Sequence, residues 1–220
     1  MLDYKKSQKL ADPDMNADEI FKSVVGRINI DRQKSGLASL GTNNNCRRCT
    51  YAYELSRRGY DVKATKSLSG TGQHYIGQYN ATHDKSKQTG VLRFLTKNII
   101  GDSEVTDYAS RLHESRFLGV NKIKLNTLDP ANSIFDAISK NPNGARGELT
   151  CKWKQSGAHS MAWEIVKGRP VIFDCQTNTM YDSAEKIAFL ANEMSGAAYN
   201  RLDTATINKD FLSRWVKNCD

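Results

Sequence analysis

Hydrophobic positions near the N-terminus recur with the spacing of one helix face. Five apolar residues fall on a single stripe: Ile20, Phe21, Val24, Val25 and Ile28. Asn16 lies ahead of this stripe, and Glu19 follows Asn16 by three residues, which is the arrangement of a capping box. The pattern predicts an amphipathic helix near 17–28. Residues 1–15, which precede it, are polar and predict a loose segment.

A second helix-compatible block follows an asparagine run and ends at a glycine. Residues 29–45 lack a steady periodicity, so they predict a loop that delivers the chain to this block. Asn45 is a natural N-cap, which places Cys46 at the first helical position, and Gly59 is a natural residue just past the helix end. Beyond the glycine, residues 60–64 predict a short strand.

The middle of the chain carries weaker signals. Residues 65–90 are rich in Ser, Thr, Gly and Gln and predict a flexible surface excursion. Long loops inside compact domains are also often lids or binding loops. Residues 91–100 fit either a strand or a helix. Further along, the pattern predicts a helix over 104–117 and a strand over 120–125.

A helix of about 130–140 is marked by its flanks. Asp129 offers a capping carboxylate directly before Pro130, and proline is favoured at the first helical position. The Asn-Pro-Asn-Gly segment at 141–144 ends the helix. Its inward-facing residues are expected to be Ile134, Phe135 and Ile138.

Hydrophobic periodicity then changes from the helical repeat to alternation. Three successive strands are predicted, at 148–154, 158–166 and 169–175. The last two strands are joined by a tight turn at Lys167-Gly168, and a two-residue turn makes the paired positions sum to about 335. The remainder, 183–217, is predicted to be mostly helical. Its packing residues are expected to be Ile187, Phe189, Leu190, Met194, Phe211, Leu212, Trp215 and Val216.

The predicted hairpin brings a histidine and an acid together. His159 faces Gln176, and Asp174 lies on the same sheet face as His159 at a diagonal position. Such a diagonal spans about 7–8 Å between backbones, which side chains can bridge. Asp174 is therefore expected to orient His159. Three roles stay open for Gln176: it orients the His159 ring, it donates a hydrogen bond to a substrate, or it only pairs across the sheet.

Composition sets the scale of the fold. The chain has 220 residues, of which 39% are apolar and 25% charged, so we expect one domain over 1–220 of the α+β class. The formal net charge of +8 suits an acidic partner such as nucleic acid. The excess is nevertheless spread along the chain, and we interpret the Arg-Arg pairs at 47–48 and 57–58 as solvated surface.

Cysteine usage and hydropathy bear on the compartment. Five scattered cysteines are too few for a disulfide scaffold, which favours a reducing compartment. No apolar run reaches the roughly 18–20 residues that span a bilayer, and residues 1–12 contain no hydrophobic signal core. We expect a cytoplasmic protein without a membrane partner, either bacterial or delivered into a target cell.

The N-terminus of the second helix favours an ionised cysteine. At the first helical position, the unpaired amides and the helix dipole stabilise a thiolate, and Arg47 and Arg48 add positive charge. Cys46 is therefore the candidate nucleophile. Cys49 is an alternative nucleophile, although it lies deeper in the helix. The Cys-x-x-Cys spacing also fits half of a zinc site, but no second ligand pair follows it, so neither metal nor cofactor is expected.

The order of a helix-borne cysteine, a strand-borne histidine and an acid on the next strand is that of a papain-like site. Four motifs accompany it: Asn-Cys-x-x-Cys with Arg-Arg-Gly-Tyr-Asp-Val, Pro-x-Gly-Ala-Arg-Gly (142–147), Gly-Ala-His (157–159) and Phe-Asp-x-Gln-Thr (173–177). Together they resemble the papain-fold toxin domains of bacterial polymorphic toxins, some of which occur in phage and prophage proteins. The resemblance covers roughly 40–64 and 142–180.

This resemblance implies a papain-like fold and a papain-like site. In the fold, the cysteine helix packs on an antiparallel sheet that carries the histidine and the acid. In the site, Cys46 is the nucleophile, His159 the general base and Asp174 the residue that orients it. Two positions depart from the family pattern: Gly-Ala-His stands in place of Gly-Gly-His, and Asn178 stands where a glycine follows Gln-Thr.

The implied activity is cysteine-dependent attack on a protein amide, by glutamine deamidation or peptide cleavage. The implied partners are a protein substrate, an immunity protein and a larger parent or phage protein. The Cys46 backbone N–H and an asparagine from 43–45, with Asn43 and Asn45 as candidates, would form the oxyanion hole. Gln176 is a candidate substrate contact.

Two further hypotheses stay open at this point. One is a basic phage-associated structural accessory whose cysteine site is not catalytic, and the other is a nucleic-acid-binding module that charge alone suggests. A thiol-reactive probe separates the hydrolase from both, and a steep salt dependence of DNA binding would support the last. The other histidines, His74, His83 and His113, lack a comparable context and are expected to be solvated.

Overall fold

The computed structural model describes residues 4–34, 42–43, 45–66, 126–128, 130–155, 157–207 and 215–219, with the backbone alone at 126–128 and 130–133. Several predictions lie outside these ranges. They are most of the excursion at 65–90, the ambiguous segment 91–100, the helix at 104–117 and the strand at 120–125, together with the three histidines expected to be solvated.

The described part of the chain is a mixed α+β structure, as predicted. Its larger sheet has six strands in the order β2-β7-β3-β4-β5-β6, and every neighbouring pair is antiparallel. These strands are β2 (Asn126–Leu128), β3 (Arg146–Trp153), β4 (Ala158–Val166), β5 (Arg169–Asp174), β6 (Thr179–Tyr181) and β7 (Met194–Arg201). A smaller antiparallel pair consists of β1 (Val62–Ala64) and β8 (Val216–Asn218).

Helices cover both faces of the larger sheet. They are α1, which joins the turns Ala17–Ile20, Phe21–Val25 and Gly26–Ile28, α2 (Cys46–Ser56), α3 (Pro130–Ser139) and α4 (Ala184–Asn192). Side chains of β4 alternate between two cores: Ala162 packs with α1 and α2, whereas Met161 and Trp163 pack with α3 and α4. The sheet is thus the middle layer, and α2 lies on one of its faces.

Helix α1 begins with the predicted capping box. The Asn16 side chain accepts a hydrogen bond from the Glu19 amide at 3.0 Å, and the Glu19 carboxylate accepts one from the Asn16 amide at 2.7 Å. The predicted stripe is inward, because Ile20, Val24, Val25 and Ile28 are buried and Phe21 is partly buried. The central turn, Phe21–Val25, is π-helical. Helix α3 confirms its prediction in the same way, with Ile134 and Ile138 fully buried.

Both ends of α2 lie where the sequence places them. Asn45 is the N-cap residue, but its side chain makes no capping hydrogen bond, which corrects one part of the prediction. At the other end Gly59 has φ +86°, the left-handed conformation that glycine adopts without strain. The Gly59 amide donates to the Ser56 carbonyl and the Tyr60 amide to the Leu55 carbonyl, which together form a Schellman motif.

The β4–β5 hairpin has the predicted register. Its pairs run from Val166↔Arg169 to Ala162↔Phe173, so each pair sums to 335. Lys167 and Gly168 have φ of 50° and 78°, which is the pair of positive values that a type I′ turn requires. Gly147 of the neighbouring strand must be glycine, because a Cβ there would collide with the carbonyl oxygen of Asn200.

The prediction of a mostly helical stretch over 183–217 is wrong for two described segments beyond Asn192. Met194–Arg201 is strand β7, which lies between β2 and β3, and Val216–Asn218 is strand β8. The alanines of β7 favour a helix intrinsically, but the pairing on both sides outweighs that preference. Phe189, expected to pack inward, is 71% exposed. Phe211 and Leu212 lie outside the described residues.

Part of the segment that the sequence predicts to be loose is packed against the end of α2. Lys6 forms a β-bridge with Tyr60, and the Ser7 amide donates to the Gly59 carbonyl. Gln8–Ala11 forms a 3₁₀ turn that buries Leu10. Among the helices of the described segments, none has the length and apolarity needed to cross a bilayer.

Candidate active site

The N-terminus of α2 meets the sheet where β4 and β5 separate. Their ladder ends at Ala162↔Phe173, so the first residues of β4 extend beyond their pairing with β5. His159 lies in this extension, and Asp174 is the last residue of β5. Cys46, the first residue of α2, reaches the same place and is partly exposed. The structure therefore brings together Cys46, His159 and Asp174, three residues far apart in the sequence.

His159 and Asp174 are joined by a direct hydrogen bond. The imidazole Nε2 lies 2.8 Å from the Asp174 Oδ2, and both side chains are at least nine-tenths buried. The other oxygen of Asp174, Oδ1, accepts hydrogen bonds from the backbone amides of Gln176 and Thr177 at 3.0 and 3.1 Å. These amides hold the carboxylate still, and the carboxylate in turn fixes the imidazole ring.

Cys46 and His159 have the electrostatics of an ion pair. Burial opposes the charged form of the Cys46 thiol, but its hydrogen bond to His159 and the charges of His159 and Arg47 lower its pKa. Burial likewise opposes a charged imidazole, yet hydrogen bonds to Asp174 and Cys46 raise the pKa of His159 to about 10. Because Nε2 is engaged by Asp174, Nδ1 is the ring nitrogen that faces the sulfur. Each group thus favours the charged form of the other, which is the thiolate for Cys46 and the imidazolium for His159.

The asparagine expected to help form an oxyanion hole is engaged elsewhere. Asn45 is buried, and its Nδ2 donates to the Asn29 Oδ1 at 3.0 Å and to the Thr65 carbonyl at 3.3 Å. Gln176 contacts this amide cluster through Nε2, which lies 3.5 Å from the Asn45 Oδ1. Neither side chain is therefore directed at the sulfur. Asn43, the other candidate, is exposed.

Gln176 does not take the orienting role that the sequence left open. Its side chain donates to the Thr42 carbonyl at 3.4 Å, and its own carbonyl accepts from Asn29 and Arg32. The hydrogen bond to the imidazole comes from Asp174 instead. Gln176 thus belongs to a buried amide cluster that ties the turn after β5 to the loop before α2.

Cys49 has an environment opposite to that of Cys46. It is fully buried in the core between α2 and the sheet, and burial together with the neighbouring Cys175, Cys46 and Asp174 raises the pKa of its thiol well above the usual range. A neutral and inaccessible thiol is a poor nucleophile. The geometry favours Cys46 over Cys49 as the reactive residue.

Trp153 covers one side of the histidine. Its ring stacks on that of His159 with a centroid distance of 5.8 Å and an interplanar angle of 30°. Trp153 ends β3, two residues after Cys151, and Cys151 is the direct cross-strand partner of His159. The indole is partly exposed, so it lies at the rim of the site and limits how far the imidazole ring can rotate.

One departure from the family motif has a structural explanation. Asn178, which stands where the resemblance leads us to expect glycine, has φ +60°. Glycine adopts that conformation freely, and asparagine is among the few other residues that tolerate it. Asn178 can therefore adopt the backbone conformation that the turn between β5 and β6 requires. Ala158, which replaces the other expected glycine, is exposed at the start of β4.

Polar residues that the sequence did not single out lie beneath Cys46. Glu148, fully buried on β3, accepts hydrogen bonds from the Arg47 Nε at 2.9 Å and from the Ser160 hydroxyl at 2.5 Å. The Ser160 hydroxyl also contacts the Thr50 hydroxyl at 2.9 Å. The signal that could have identified Glu148 and Ser160 is their position in the two strands. They lie on the same face of β3 and β4 as Ala162, and Ala162 is buried against α2.

A cleft of about 320 Å³ lies beside the site, between the end of α1 and the turn after β5. Asn29, Arg32, Gln176 and Thr177 are among its lining residues, but Cys46 and His159 do not line it. In the described ranges, no group of three His, Cys, Asp or Glu side chains is placed to hold a metal ion.

Comparisons with family models, with curated proteins and with solved structures gave no match for the chain.

Proposed function

We propose that the chain is a papain-like cysteine hydrolase that attacks amides of a protein substrate. The observation that carries the proposal is that Cys46, His159 and Asp174 meet: Asp174 is hydrogen-bonded to His159, and the interaction of Cys46 with His159 lowers the pKa of the thiol and raises that of the imidazole. A thiolate beside an imidazolium is a nucleophile with a proton donor already in place. The aspartate matches the orienting residue of such a site.

The arrangement of elements supports the papain-like part of the proposal. The nucleophile begins a helix that packs on an antiparallel sheet, and the histidine and the acid lie on adjacent strands of that sheet. The motifs that resemble papain-fold toxin domains contribute these same three residues. The helix N-terminus adds its dipole to the stabilisation of the thiolate.

The first half of the reaction forms an acyl-enzyme. The Cys46 thiolate attacks the carbonyl carbon of the substrate amide, and the carbonyl oxygen becomes an oxyanion. The backbone N–H of Cys46 belongs to the first turn of α2, where amides have no partner within the helix, and in the proposed reaction it donates to this oxygen. His159 gives its proton to the leaving nitrogen, which departs as ammonia or as an amine while a thioester remains on Cys46.

The second half regenerates the enzyme. Neutral His159 takes a proton from a water molecule, the resulting hydroxide attacks the thioester, and Cys46 leaves as a thiolate. Water and amide are converted to a carboxylic acid and ammonia, or to an acid and a new amino terminus. Asp174 keeps the tautomer and the orientation of the imidazole through both halves.

The biological role we propose is that of a toxin or effector. In that role, the hydrolase deamidates glutamine or cleaves a peptide bond in a target protein. The resemblance to toxin domains of bacteria, phage and prophage supports this assignment. It also suggests a larger parent protein and an immunity protein as partners.

Mass spectrometry of target proteins tests the proposal and separates its two chemistries. Candidate proteins are incubated with the wild-type chain or with Cys46→Ala, and their peptides are compared. Deamidation converts a glutamine to a glutamate with the corresponding gain in mass, whereas proteolysis creates new termini. Either product in the wild-type sample alone supports the hydrolase. A Cys46 that reacts with no thiol-directed activity probe, beside targets that stay unchanged, would favour the accessory role instead.

A further inference from the structure

Four polar side chains form a closed connection between α2 and the sheet directly behind the nucleophile. They are Arg47 and Thr50 on the first turns of α2, Glu148 on β3 and Ser160 on β4; we refer to them as the polar clamp. All four are buried, with exposed fractions of 7%, 1%, 0% and 2% in that order. Interior positions usually hold apolar residues, so this cluster requires an explanation.

Glu148 is the hub of the polar clamp. A single atom, Oε1, accepts both the Arg47 Nε and the Ser160 hydroxyl. The other oxygen, Oε2, has no hydrogen-bond partner among the described residues. The Thr50 hydroxyl closes the connection through Ser160, and it also lies 3.3 Å from the Cys46 carbonyl.

Two members of the polar clamp act on the sulfur itself. The backbone amide of Ser160 and the positive charge of Arg47 both lower the pKa of the Cys46 thiol. Ser160 is also the residue directly after His159, so its position along β4 determines where the imidazole meets α2. A displacement of Arg47 or Ser160 would therefore alter the surroundings of both Cys46 and His159.

We propose that Glu148 is a positioning residue for the nucleophile, because it holds Arg47 and Ser160 at the places from which they support the Cys46 thiolate. The inference rests on the proposed function only in taking Cys46 as the reactive residue. It does not depend on whether the substrate is a glutamine or a peptide bond. Glu148 touches no reacting atom, so its role is exercised through its two partners.

Charge and position predict opposite effects when Glu148 is changed, which makes the inference testable. A nearby anion disfavours a thiolate, so loss of the carboxylate charge alone would lower the Cys46 pKa. Displacement of Arg47 and Ser160 would instead raise the pKa of the Cys46 thiol. The other groups that face Cys46 are Arg47 and Cys49 from α2, His159 from β4 and Cys151 from β3, with Asp174 of β5 acting through His159. All of them are unchanged in the variants below.

The experiment measures the rate at which iodoacetamide alkylates Cys46 as a function of pH, with mass spectrometry to identify the modified cysteine. The variants are Glu148→Ala, which removes the hub, and Glu148→Gln, which keeps an acceptor oxygen without the charge. The matched control is Glu164→Ala. Glu164 is an equally buried glutamate on β4 that pairs with Arg57 at the opposite end of α2.

We expect Glu148→Ala to raise the alkylation midpoint by about one pH unit, so that the rate below the midpoint falls about tenfold. Glu148→Gln should stay at or below the wild-type midpoint, and Glu164→Ala should match the wild type. A fall of the midpoint in Glu148→Ala, or equal shifts in Glu148→Ala and Glu164→Ala, would overturn the inference. The wild-type profile, judged separately, tests the reactive thiolate of the proposed function.

Removal of the hub carries a risk of unfolding, so two milder variants accompany it. Ser160→Ala keeps the backbone amide but breaks the link between Thr50 and Glu148, and Thr50→Val keeps the side-chain shape without the hydroxyl. Circular dichroism identifies the folded variants. In folded Ser160→Ala we expect a smaller rise of the midpoint, and an unchanged midpoint there would contradict positioning through Ser160.

Discussion

The two ends of α2 use the same chemistry for different purposes. At the N-terminal end, Arg47 pairs with Glu148 at 2.9 Å beneath a partly exposed cysteine. At the C-terminal end, Arg57 pairs with Glu164 at 2.8 Å, and both side chains are only 3% exposed. Each pair joins an arginine at one end of the helix to a glutamate of the sheet. Only the N-terminal pair lies beside a group with chemical reactivity.

The arginine–glutamate pair at the C-terminal end has several further partners. Glu164 also accepts from the Tyr53 hydroxyl, and Arg57 also donates to the Leu10 and Asp12 carbonyls of the N-terminal segment. Nearby, Glu54 binds both Arg58 and Arg146. This end anchors the helix to the sheet and to the first residues of the chain. The anchor allows the other end to keep an accessible sulfur in a defined position.

The largest expected effect is on catalysis at the N-terminal end. Cys46→Ala should lower turnover by about 10⁴-fold or more, because no other group can form the acyl-enzyme. The free energy of unfolding should change by no more than about 1 kcal/mol, since the side chain is partly exposed. Turnover assays with chemical denaturation measure both quantities.

Cys49→Ala is the matched control for this change, because Cys49 is buried and lies one helical turn further along. It should leave the activity in place and cost stability instead, through the cavity that it creates. An inactive Cys49→Ala beside an active Cys46→Ala would exchange the roles of the two cysteines.

The next effect concerns stability at the C-terminal end. Arg57→Met should lower the free energy of unfolding by about 3–5 kcal/mol, because Glu164 would remain buried without its partner. The alkylation rate of Cys46 in the folded fraction should not change. A comparison of urea denaturation with alkylation kinetics checks the separation. Slower alkylation of Cys46 in folded Arg57→Met would mean that the two ends of the helix are coupled.

A smaller effect is expected from the orienting carboxylate. Asp174→Ala should reduce turnover by about 10²- to 10³-fold, because the imidazole loses its hydrogen bond and the turn at Gln176 and Thr177 loses its acceptor. Asp174→Asn should retain more activity, since it keeps a hydrogen bond without the charge. Gln176→Ala should cost less than either. If the Asp174 variants kept the wild-type turnover while Gln176→Ala was inactive, the pairing of Asp174 with His159 would be refuted.

The last expected effect concerns the pH dependence of stability. His159 has a pKa raised to about 10, so its protonation contributes stability that is fully present below about 6.5 and is lost as the pH rises through 10. The difference in unfolding free energy between wild type and His159→Ala should therefore decline across that interval. Urea denaturation at several pH values measures it. A constant difference would mean that His159 is not held as an imidazolium.

Local signals in the sequence predicted the framework that carries the site. The capping box of α1, the glycine after α2 and the turn of the β4–β5 hairpin depend on a few neighbouring residues, and the structure has all three. Because the hairpin register follows from the turn alone, the contact between His159 and Asp174 was predictable. The position of Cys46 at the start of its helix was also predictable from a neighbouring residue, because Asn45 marks the N-cap.

Long-range pairing was not predictable in this way. Strand β7 pairs with β3 some fifty residues earlier, and its two alanines favour a helix. The prediction for two arginines is also wrong: the charge pattern predicts that Arg47 and Arg57 are solvated, but both are buried. Their partners lie on strands about a hundred residues away, and nothing in the helix itself identifies them. Charges on a helix are therefore ambiguous until the opposing surface is known.

One measurement tests the central claim most directly, which is that the N-terminus of α2 holds a thiolate paired with His159. The alkylation of Cys46 by iodoacetamide is followed against pH in the wild type and in His159→Ala, with the buried Cys49 and Cys175 as internal controls. We expect a wild-type midpoint well below the free-thiol value of about 8.5 and a clear rise in the variant. Midpoints near 8.5 in both proteins would contradict the ion pair and, with it, the proposed catalytic role of this site.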